Sequence, residues 1–306
     1  MTTVGLQTQI WRNNLKSTLL LIGFPSLILS LLWLFFFILD YPENNFPSIN
    51  YQFFQVMPWI SGGVFFWFII AYFSHSKLIN KATSATPLAR KENPEIYNLV
   101  ENLCISVGIK TPKINIIEDT SLNAFASGIN EKTYCISLSR GIIEKLNKEE
   151  LEGVIAHELS HIRNKDVRLL IISIIFVGIF AFLSEFLLRS LVYSSNSNRK
   201  KDGRIVIVGI VLAAIGYLLS VFFKLALSRK REYLADAGAV QLTKKPLALA
   251  SALKKVSEDS RIEAVQRKDV AQLFIDNPQE KKSSFFSKIF STHPPIKERI
   301  QILEQF

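Results

Sequence analysis

The feature that most constrains the fold is a run of 23 uncharged residues, 17–39, near the start of the chain. At 1.5 Å per residue, a helix of this length crosses a hydrocarbon core of about 30 Å. A second, shorter uncharged run covers residues 57–73, where Trp59, Trp67 and Tyr72 suit the membrane interface. On length alone, this second run also fits a buried core helix. The two runs together predict a transmembrane hairpin within residues 1–76.

The composition supports a membrane protein. Hydrophobic residues make up 49% of the 306 residues and charged residues only 20%, which excludes intrinsic disorder. The chain has two cysteines, too few for a disulfide-stabilised fold. We expect both, Cys104 and Cys135, to be reduced, packed side chains.

Flanking charge orients the hairpin. Arg12 and Lys16 precede the first run, and the loop between the runs carries Asp40 and Glu43 but no basic residue. The basic residues that follow the second run are Lys77, Lys81, Arg90 and Lys91. By the positive-inside rule, the N-terminus and the chain after residue 74 lie on the cytoplasmic side.

A second apolar pair covers about residues 169–190 and 205–226. The loop between these runs contains four basic residues, Arg199, Lys200, Lys201 and Arg204. If both runs cross the membrane, this loop lies outside, against the positive-inside rule. A buried helical pair and a re-entrant hairpin are the alternatives. We favour a second transmembrane hairpin within residues 169–227, because soluble helices seldom lack polar faces so completely.

Residues 77–168 have an α+β pattern. Helical spacing of apolar residues covers 94–109 and ends at Gly108. Strand-like runs follow at 113–118, 122–127 and 133–139, the last two arranged as a hairpin. Asn147 and Glu150 then form a capping-box pattern that starts another helix. The predicted fold is a multi-pass helical membrane protein with a mostly helical α+β domain and a small sheet.

The sequence His-Glu-Leu-Ser-His on that helix carries the chemistry. His157 and His161 are four residues apart, so both imidazoles project from one helix face and can bind one metal ion. Glu158 follows the first histidine, where it can act as a general base on water. This is the H-E-x-x-H arrangement of zinc-dependent hydrolases.

A third ligand must come from elsewhere in the chain. The other two histidines are His75, for which we expect no ligand role, and His293. Glutamate is the other common third ligand. Glu232 and Asp236 share one face of a helix predicted after the second apolar pair, at the spacing of a ligand and its orienting partner. By itself, this segment also fits a solvated helix with surface salt bridges.

Several motifs resemble those of the HtpX-like membrane zinc metalloproteases. These belong to the integral-membrane gluzincins, which also include the CAAX prenyl proteases. The motifs are HELSH at 157–161, REYLAD at 231–236, LNAFASG at 122–128, LFIDNP at 273–278, and STHPP at 291–295 with Arg299. They occur in the family's order, together with the apolar pairs. Prenyl proteases are larger and have more spans, so they fit less well.

The resemblance implies one zinc ion per chain, bound by His157, His161 and Glu232, with Glu158 as the general base. It makes Asp236 a support for a ligand and His293 a candidate catalytic residue that donates to an oxyanion. The resemblance also implies a zincin-like catalytic domain in two parts, 77–168 and 228–306. Its strand beside the active site would bind substrate through Asn123, Ala124, Phe125 and Ala126.

The predicted function is that of a membrane-bound zinc metalloendopeptidase that cleaves misfolded or membrane proteins in quality control. The predicted location is a bacterial plasma membrane with a cytoplasmic active site. A CAAX-type prenyl-protein protease and a non-catalytic zinc-binding membrane adaptor are the alternatives. The net charge of +10 includes basic runs at 199–204 and 224–231 that could contact nucleic acid. No recognition motif accompanies them, so we expect them to meet anionic lipid instead.

Overall fold

The structure is a computed structural model, which describes residues 6–194, 203–226, 229–258 and 294–306. The chain divides into two compact units. The sheet unit consists of Met1–Asn14, His75–Ile171 and Leu225–Phe306. The helical unit consists of Leu15–Ser74 and Ile172–Lys224.

The helical unit is built from the greater part of four long helices of the described residues, whose ends at 6–14, 75–83 and 166–171 belong to the sheet unit. They are α1 (Leu6–Leu39), α2 (Phe46–Thr83), α6 (Asp166–Ser194) and α7 (Gly203–Ala226). Among the described helices, two are long and apolar enough to cross a membrane, namely Ile10–Leu39 and Phe46–Thr83. Both contain the runs that the sequence predicts as the first hairpin.

The apolar surface of α2 faces outward. None of the residues in its most apolar window is buried, and Trp59 is 82% exposed. A core helix of a soluble protein would bury these side chains, so the core-helix alternative does not fit α2. Inside the helical unit, Phe24 stacks on Phe176 with ring centroids 4.5 Å apart, and Phe68 lies 5.6 Å from Phe176.

The sheet unit contains a four-stranded sheet among its described residues. Its strands are β1 (Thr86–Pro87), β2 (Lys113–Ile117), β3 (Ala124–Ser127) and β4 (Cys135–Ser139), in the order β1-β2-β4-β3. Strands β3 and β4 are antiparallel, which confirms the predicted hairpin, while β2 and β4 are parallel. The sequence did not predict β1, because it is two residues long, exposed and contains a proline.

The sheet unit contains six helices among the described residues, and capping residues mark the ends of some of them. The six helices are α3 (Pro94–Val107), α4 (Arg140–Lys145), α5 (Lys148–Arg163), α8 (Arg229–Thr243), α9 (Pro246–Glu258) and α10 (Ile296–Leu303). Helix α3 ends at Gly108, whose φ of 68° is left-handed, as the sequence predicts. At the start of α5, Asn147 and Glu150 form both hydrogen bonds of the predicted capping box.

Helix α5 is the central element of the sheet unit. It packs against α8, α9, α3 and β3, while α10 packs against α9 and α8. Small residues let α5 and α8 approach closely: a Cβ at Gly238 of α8 would lie 2.6 Å from Ser160 Oγ of α5. This packing brings the face of α5 that carries the two histidines next to the acidic residues of α8.

Candidate metal centre

His157 and His161 lie on one face of α5, as their four-residue spacing predicts. Their Nε2 atoms are 3.2 Å apart, and their rings are nearly perpendicular, with centroids 4.7 Å apart. His157 is fully buried, whereas the side chain of His161 is 14% exposed. The two imidazoles therefore converge on one point at the edge of the buried interior.

Glu232 of α8 reaches the same point. Its carboxylate oxygens lie 3.6 Å from His157 Nε2 and 3.5 Å from His161 Nε2. The three potential ligand atoms lie within 4.8 Å of one another, and no other such metal-binding group occurs in the part of the chain that the structure describes. Of the two carboxylates that the sequence left as candidates, Glu232 is thus the one that faces both Nε2 atoms.

The outer nitrogens of both rings face carboxylates. His157 Nδ1 lies 3.0 Å from Asp236 Oδ1, and His161 Nδ1 lies 3.1 Å from Asp166 Oδ2. A carboxylate at Nδ1 favours the tautomer with its proton there, which leaves the Nε2 lone pair directed at the common point. Two such imidazoles and a carboxylate are the donor set of a catalytic zinc site with an open position, so these residues fit a metal ion.

Arg299 of α10 completes the buried cluster. Its side chain is 0% exposed and donates two hydrogen bonds to Asp236, from Nε at 2.8 Å and from Nη2 at 2.7 Å. Its Nη1 lies 3.4 Å from Glu232 Oε2. Arg299 belongs to the C-terminal motif, but the sequence indicates no contact for it. Its position four residues before Leu303 places it on the buried face of α10, but no local pattern identifies its partners on α8.

The cluster strongly favours positive charge. Burial acts to lower the pKa of His157, but hydrogen bonds with Asp236 and Glu232 outweigh burial and raise this pKa to about 9. Burial acts to raise the pKa of Asp236, but Arg299 and His157 outweigh it and lower this pKa to about 2. Asp236 therefore stays ionised and favours positive charge on the His157 side of the point where the imidazoles converge.

Glu158 lies beside the metal-binding group and is 2% exposed. Burial raises the pKa of its carboxyl group, against the opposing effect of the two histidines and of a hydrogen bond from the Ala126 backbone. A carboxylate with a raised pKa is a better proton acceptor near neutral pH. The hydrogen bond also brings Glu158 next to β3.

The predicted substrate-binding residues lie in or next to β3, an edge strand of the sheet. Their exposed fractions are 0% for Asn123, Ala124 and Phe125 and 4% for Ala126. The strand pairs with β4 along one edge and contacts α5. It therefore lies beside the candidate metal centre, but its residues are buried rather than open to water.

The other histidines and the two cysteines lie apart from the candidate metal centre or outside the described residues. His293 lies outside the described residues, as does the 273–278 motif. Cys104 and Cys135 are free and buried, and burial raises the pKa of each to about 11, so they are packed thiols as predicted. His75 is 5% exposed, and its Nε2 lies 3.1 Å from Ser76 Oγ.

An H-E-x-x-H helix, a carboxylate close to both of its histidines and long apolar helices are together the features of a membrane metalloprotease. Residues 90–306 match the family described as Peptidase family M48. The chain belongs to this family.

Relatives identified by sequence agree with this assignment. The chain is 59% identical to the Protease HtpX homolog of Bacteroides fragilis (strain YCH46), over 100% of both chains. It is 42% identical to the Protease HtpX homolog of Dictyoglomus turgidum, over 76% of each. The crystal structure of S. mikatae Ste24p matches with a TM-score of 0.46 and 21% identity, over 96% of this chain and 66% of that one.

The predicted resemblance and activity are therefore confirmed. The chain is a membrane metalloprotease of the HtpX type, and its family implies polypeptide substrates and a metal cofactor. Membership of a peptidase family argues against the non-catalytic adaptor.

Proposed function

We propose that the chain is a zinc endopeptidase in which His157, His161 and Glu232 hold one zinc ion and Glu158 is the general base. The observation that carries this proposal is the convergence of three ligand atoms within 4.8 Å, with both outer imidazole nitrogens backed by carboxylates. When bound, zinc supplies Lewis acidity that polarises a peptide carbonyl and acidifies water.

Glu158 moves the proton in this mechanism. Its carboxylate takes a proton from the attacking water and delivers it to the leaving amine as the peptide bond breaks. The raised pKa of Glu158, caused by burial, suits both steps, because the group must accept and then release a proton near neutral pH. The Ala126 backbone hydrogen bond holds this carboxylate in position.

Asp236 and Arg299 orient the ligands. Asp236 Oδ1 lies 3.0 Å from His157 Nδ1, and Arg299 donates a hydrogen bond to each oxygen of Asp236. This support keeps the imidazole in one tautomer and one rotation. His293 is the proposed donor to the oxyanion of the tetrahedral intermediate, as the sequence motif around it implies.

The substrate is an extended polypeptide that pairs with β3. An edge strand binds a peptide through main-chain hydrogen bonds, which read little sequence and give broad specificity. Residues 123–126 are at most 4% exposed, so the residues that pack over β3 must move aside before a substrate strand can pair with it. Unfolded chains and membrane proteins supply such segments, so we propose quality control of misfolded proteins as the biological role.

The proposed topology has two transmembrane hairpins, at 17–39 with 57–73 and at about 169–190 with 205–226. Helices α6 and α7, with 29 and 24 residues, are long enough to cross a core of about 30 Å. The catalytic parts, 77–168 and 228–306, then lie on the cytoplasmic side of a bacterial plasma membrane, as the positive-inside rule favours for the first hairpin.

The decisive test compares the wild-type chain with Glu158→Gln, both purified full-length in detergent. We expect equal zinc content and a fall of at least about 100-fold in cleavage of an unfolded protein such as casein. Glu149→Gln is the matched control, because Glu149 lies on the same helix with its side chain 62% exposed. Near-normal cleavage by Glu158→Gln would overturn the mechanism.

The same preparations discriminate the prenyl-protease alternative. A farnesylated C-terminal peptide and its unprenylated counterpart are assayed beside casein. We expect casein to be cleaved and prenylation to give no advantage. Cleavage restricted to the prenylated peptide would instead favour the CAAX-type enzyme.

A further inference from the structure

The turn between α5 and α6 lies directly behind the metal centre. It consists of Asn164 and Lys165, and Asp166 follows as the first residue of α6. Lys165 has a φ of 60°, a left-handed conformation that is uncommon for a residue with a side chain. Because Asp166 faces His161 Nδ1, the geometry of this turn decides where the His161 ring points.

Asn13, near the start of α1, is hydrogen-bonded to this turn. Its Nδ2 group donates one hydrogen bond to the backbone oxygen of Asn164 and another to Oδ1 of Asp166, both at 2.7 Å. Asn13 is 1% exposed, Asn164 6% and Asp166 2%. The two bonds use both hydrogens of the amide and join residues more than 150 positions apart in sequence.

The two oxygens of Asp166 have different partners. Oδ1 accepts from Asn13, and Oδ2 accepts from His161 Nδ1 at 3.1 Å. Arg231, which precedes Glu232, donates from Nη1 to the Asp166 backbone oxygen at 3.2 Å. The carboxylate cannot rotate toward Asn13 or away from it without losing one of these bonds. A continuous path of hydrogen bonds thus runs from Asn13 through Asp166 to His161.

We propose that Asn13 is a positioning residue of the metal centre. By holding Oδ1, it fixes the rotation of the Asp166 carboxylate, and Oδ2 then keeps the proton of His161 on Nδ1 and its Nε2 lone pair toward the metal. The inference rests on the proposed zinc site. It makes the segment before the first apolar run a working part of that site, although all the ligands lie far downstream.

Partners of metal-bound histidines change metal affinity by about 10- to 100-fold when they are removed. Asn13 acts one step further out, so we expect the zinc affinity of Asn13→Leu to fall about tenfold. Leucine has a similar volume and cannot donate a hydrogen bond. Asn102→Leu is the control, since Asn102 is an exposed asparagine on α3 of the same unit.

The experiment uses the full-length chain in detergent. Zinc affinity is measured by competition with a chromogenic chelator, and the cobalt-substituted protein gives an absorption spectrum that reports ligand geometry. We expect Asn13→Leu to weaken zinc binding and alter the cobalt spectrum, with Asn102→Leu within twofold of wild type in both. An Asn13→Leu protein that matches wild type in both measurements would overturn the proposal.

A double-mutant cycle separates positioning from a general structural role. In an Asp166→Ala background, the path to His161 is already broken, so Asn13→Leu should change zinc affinity by less than about twofold. An equal loss in both backgrounds would show that Asn13 acts only on stability. If Asn13→Leu does not fold, Asn13→Ala also removes the donor without adding a charge and carries the same expectation. A wild-type chain that binds no zinc contradicts the proposed function itself, which is a distinct result.

Discussion

Arg299 has the largest of the fully buried side chains in the described residues, and its charge is matched by Asp236 and Glu232. Removing one member of such a group leaves the others buried and uncompensated. The buried charges around the metal centre therefore act as one unit, in which each side chain depends on the others.

We expect Arg299→Met to destabilise the protein by about 3–5 kcal/mol and to weaken zinc retention, because Asp236 loses both of its guanidinium hydrogen bonds. Arg90→Met is the control, since Arg90 pairs with Glu101 at the surface, where such pairs contribute about 0–1 kcal/mol. Thermal unfolding in detergent measures both. A loss no larger than that of the control would contradict the assigned role.

Glu150 provides a pH-dependent test away from the metal centre. Burial acts to raise its pKa, but hydrogen bonds from Lys255, Ser251 and the Asn147 backbone outweigh burial and leave the pKa lowered. A carboxyl group with a lowered folded-state pKa stabilises the fold above its unfolded pKa of about 4.3, and this contribution disappears as the pH falls through the folded-state pKa.

We therefore expect Glu150→Gln to be less stable than wild type by about 1–3 kcal/mol at pH 7, with the difference shrinking below about pH 4. Thermal unfolding across this pH range checks the prediction. Glu131→Gln, at an exposed position, serves as the control. A difference that is constant with pH would mean that the ionised form of Glu150 contributes nothing.

Part of the metal centre could be predicted from residue spacing. The four-residue interval places His157 and His161 on one helix face, and the same interval relates Glu232 to Asp236. Asp166, Arg299 and Asn13 could not be found in this way, because their contacts depend on tertiary packing. The bond from Asn13 to Asp166 spans 153 positions, and no local pattern encodes it.

At the scale of elements, the crossing of α5 and α8 determines the metal centre, because it brings Glu232 to the two histidines. The crossing depends on Gly238, where an added Cβ would lie 2.6 Å from Ser160 Oγ and 3.1 Å from Ser160 Cβ. The two helices can therefore approach this closely only because residue 238 has no side chain.

We expect Gly238→Ala to destabilise the protein by about 1–3 kcal/mol and to reduce zinc affinity, since overpacking moves α8 and Glu232 away from α5. Ser160→Ala in the same chain should restore part of both losses. Gly63→Ala is the control, because nothing lies within 4 Å of a Cβ there. Chelator competition and thermal unfolding measure the effects, and a zinc affinity equal to that of the control would contradict this account.

Elements with strong local sequence signals could be predicted, while elements that form only by pairing with a distant strand could not. The capping box at Asn147, the left-handed Gly108 and the β3–β4 hairpin each have their own turn or cap chemistry. Strand β1 is different, because Thr86 and Pro87 become a strand only by pairing with β2. The parallel pairing of β2 with β4 also has no local signature in the sequence.

For the whole molecule, length and charge make opposite predictions for the topology of the second apolar pair. Length favours spanning, because α7 has 24 residues, whereas the four basic residues within 199–204 favour the cytoplasm. The first hairpin has no such conflict, since length and charge agree there. A direct measurement of which side each loop occupies therefore distinguishes the two signals.

Cysteine labelling measures the side of each loop, and the natural cysteines should contribute little background labelling. Burial raises the pKa of both Cys104 and Cys135 to about 11 and keeps them protonated and unreactive. Single cysteines are introduced by Glu43→Cys, Glu131→Cys and Lys201→Cys, and intact cells are treated with a membrane-impermeant maleimide. We expect labelling at positions 43 and 201, and at 131 only after permeabilisation. Protection of position 201 together with 131 would show that the basic loop stays inside and that the second pair does not cross the membrane.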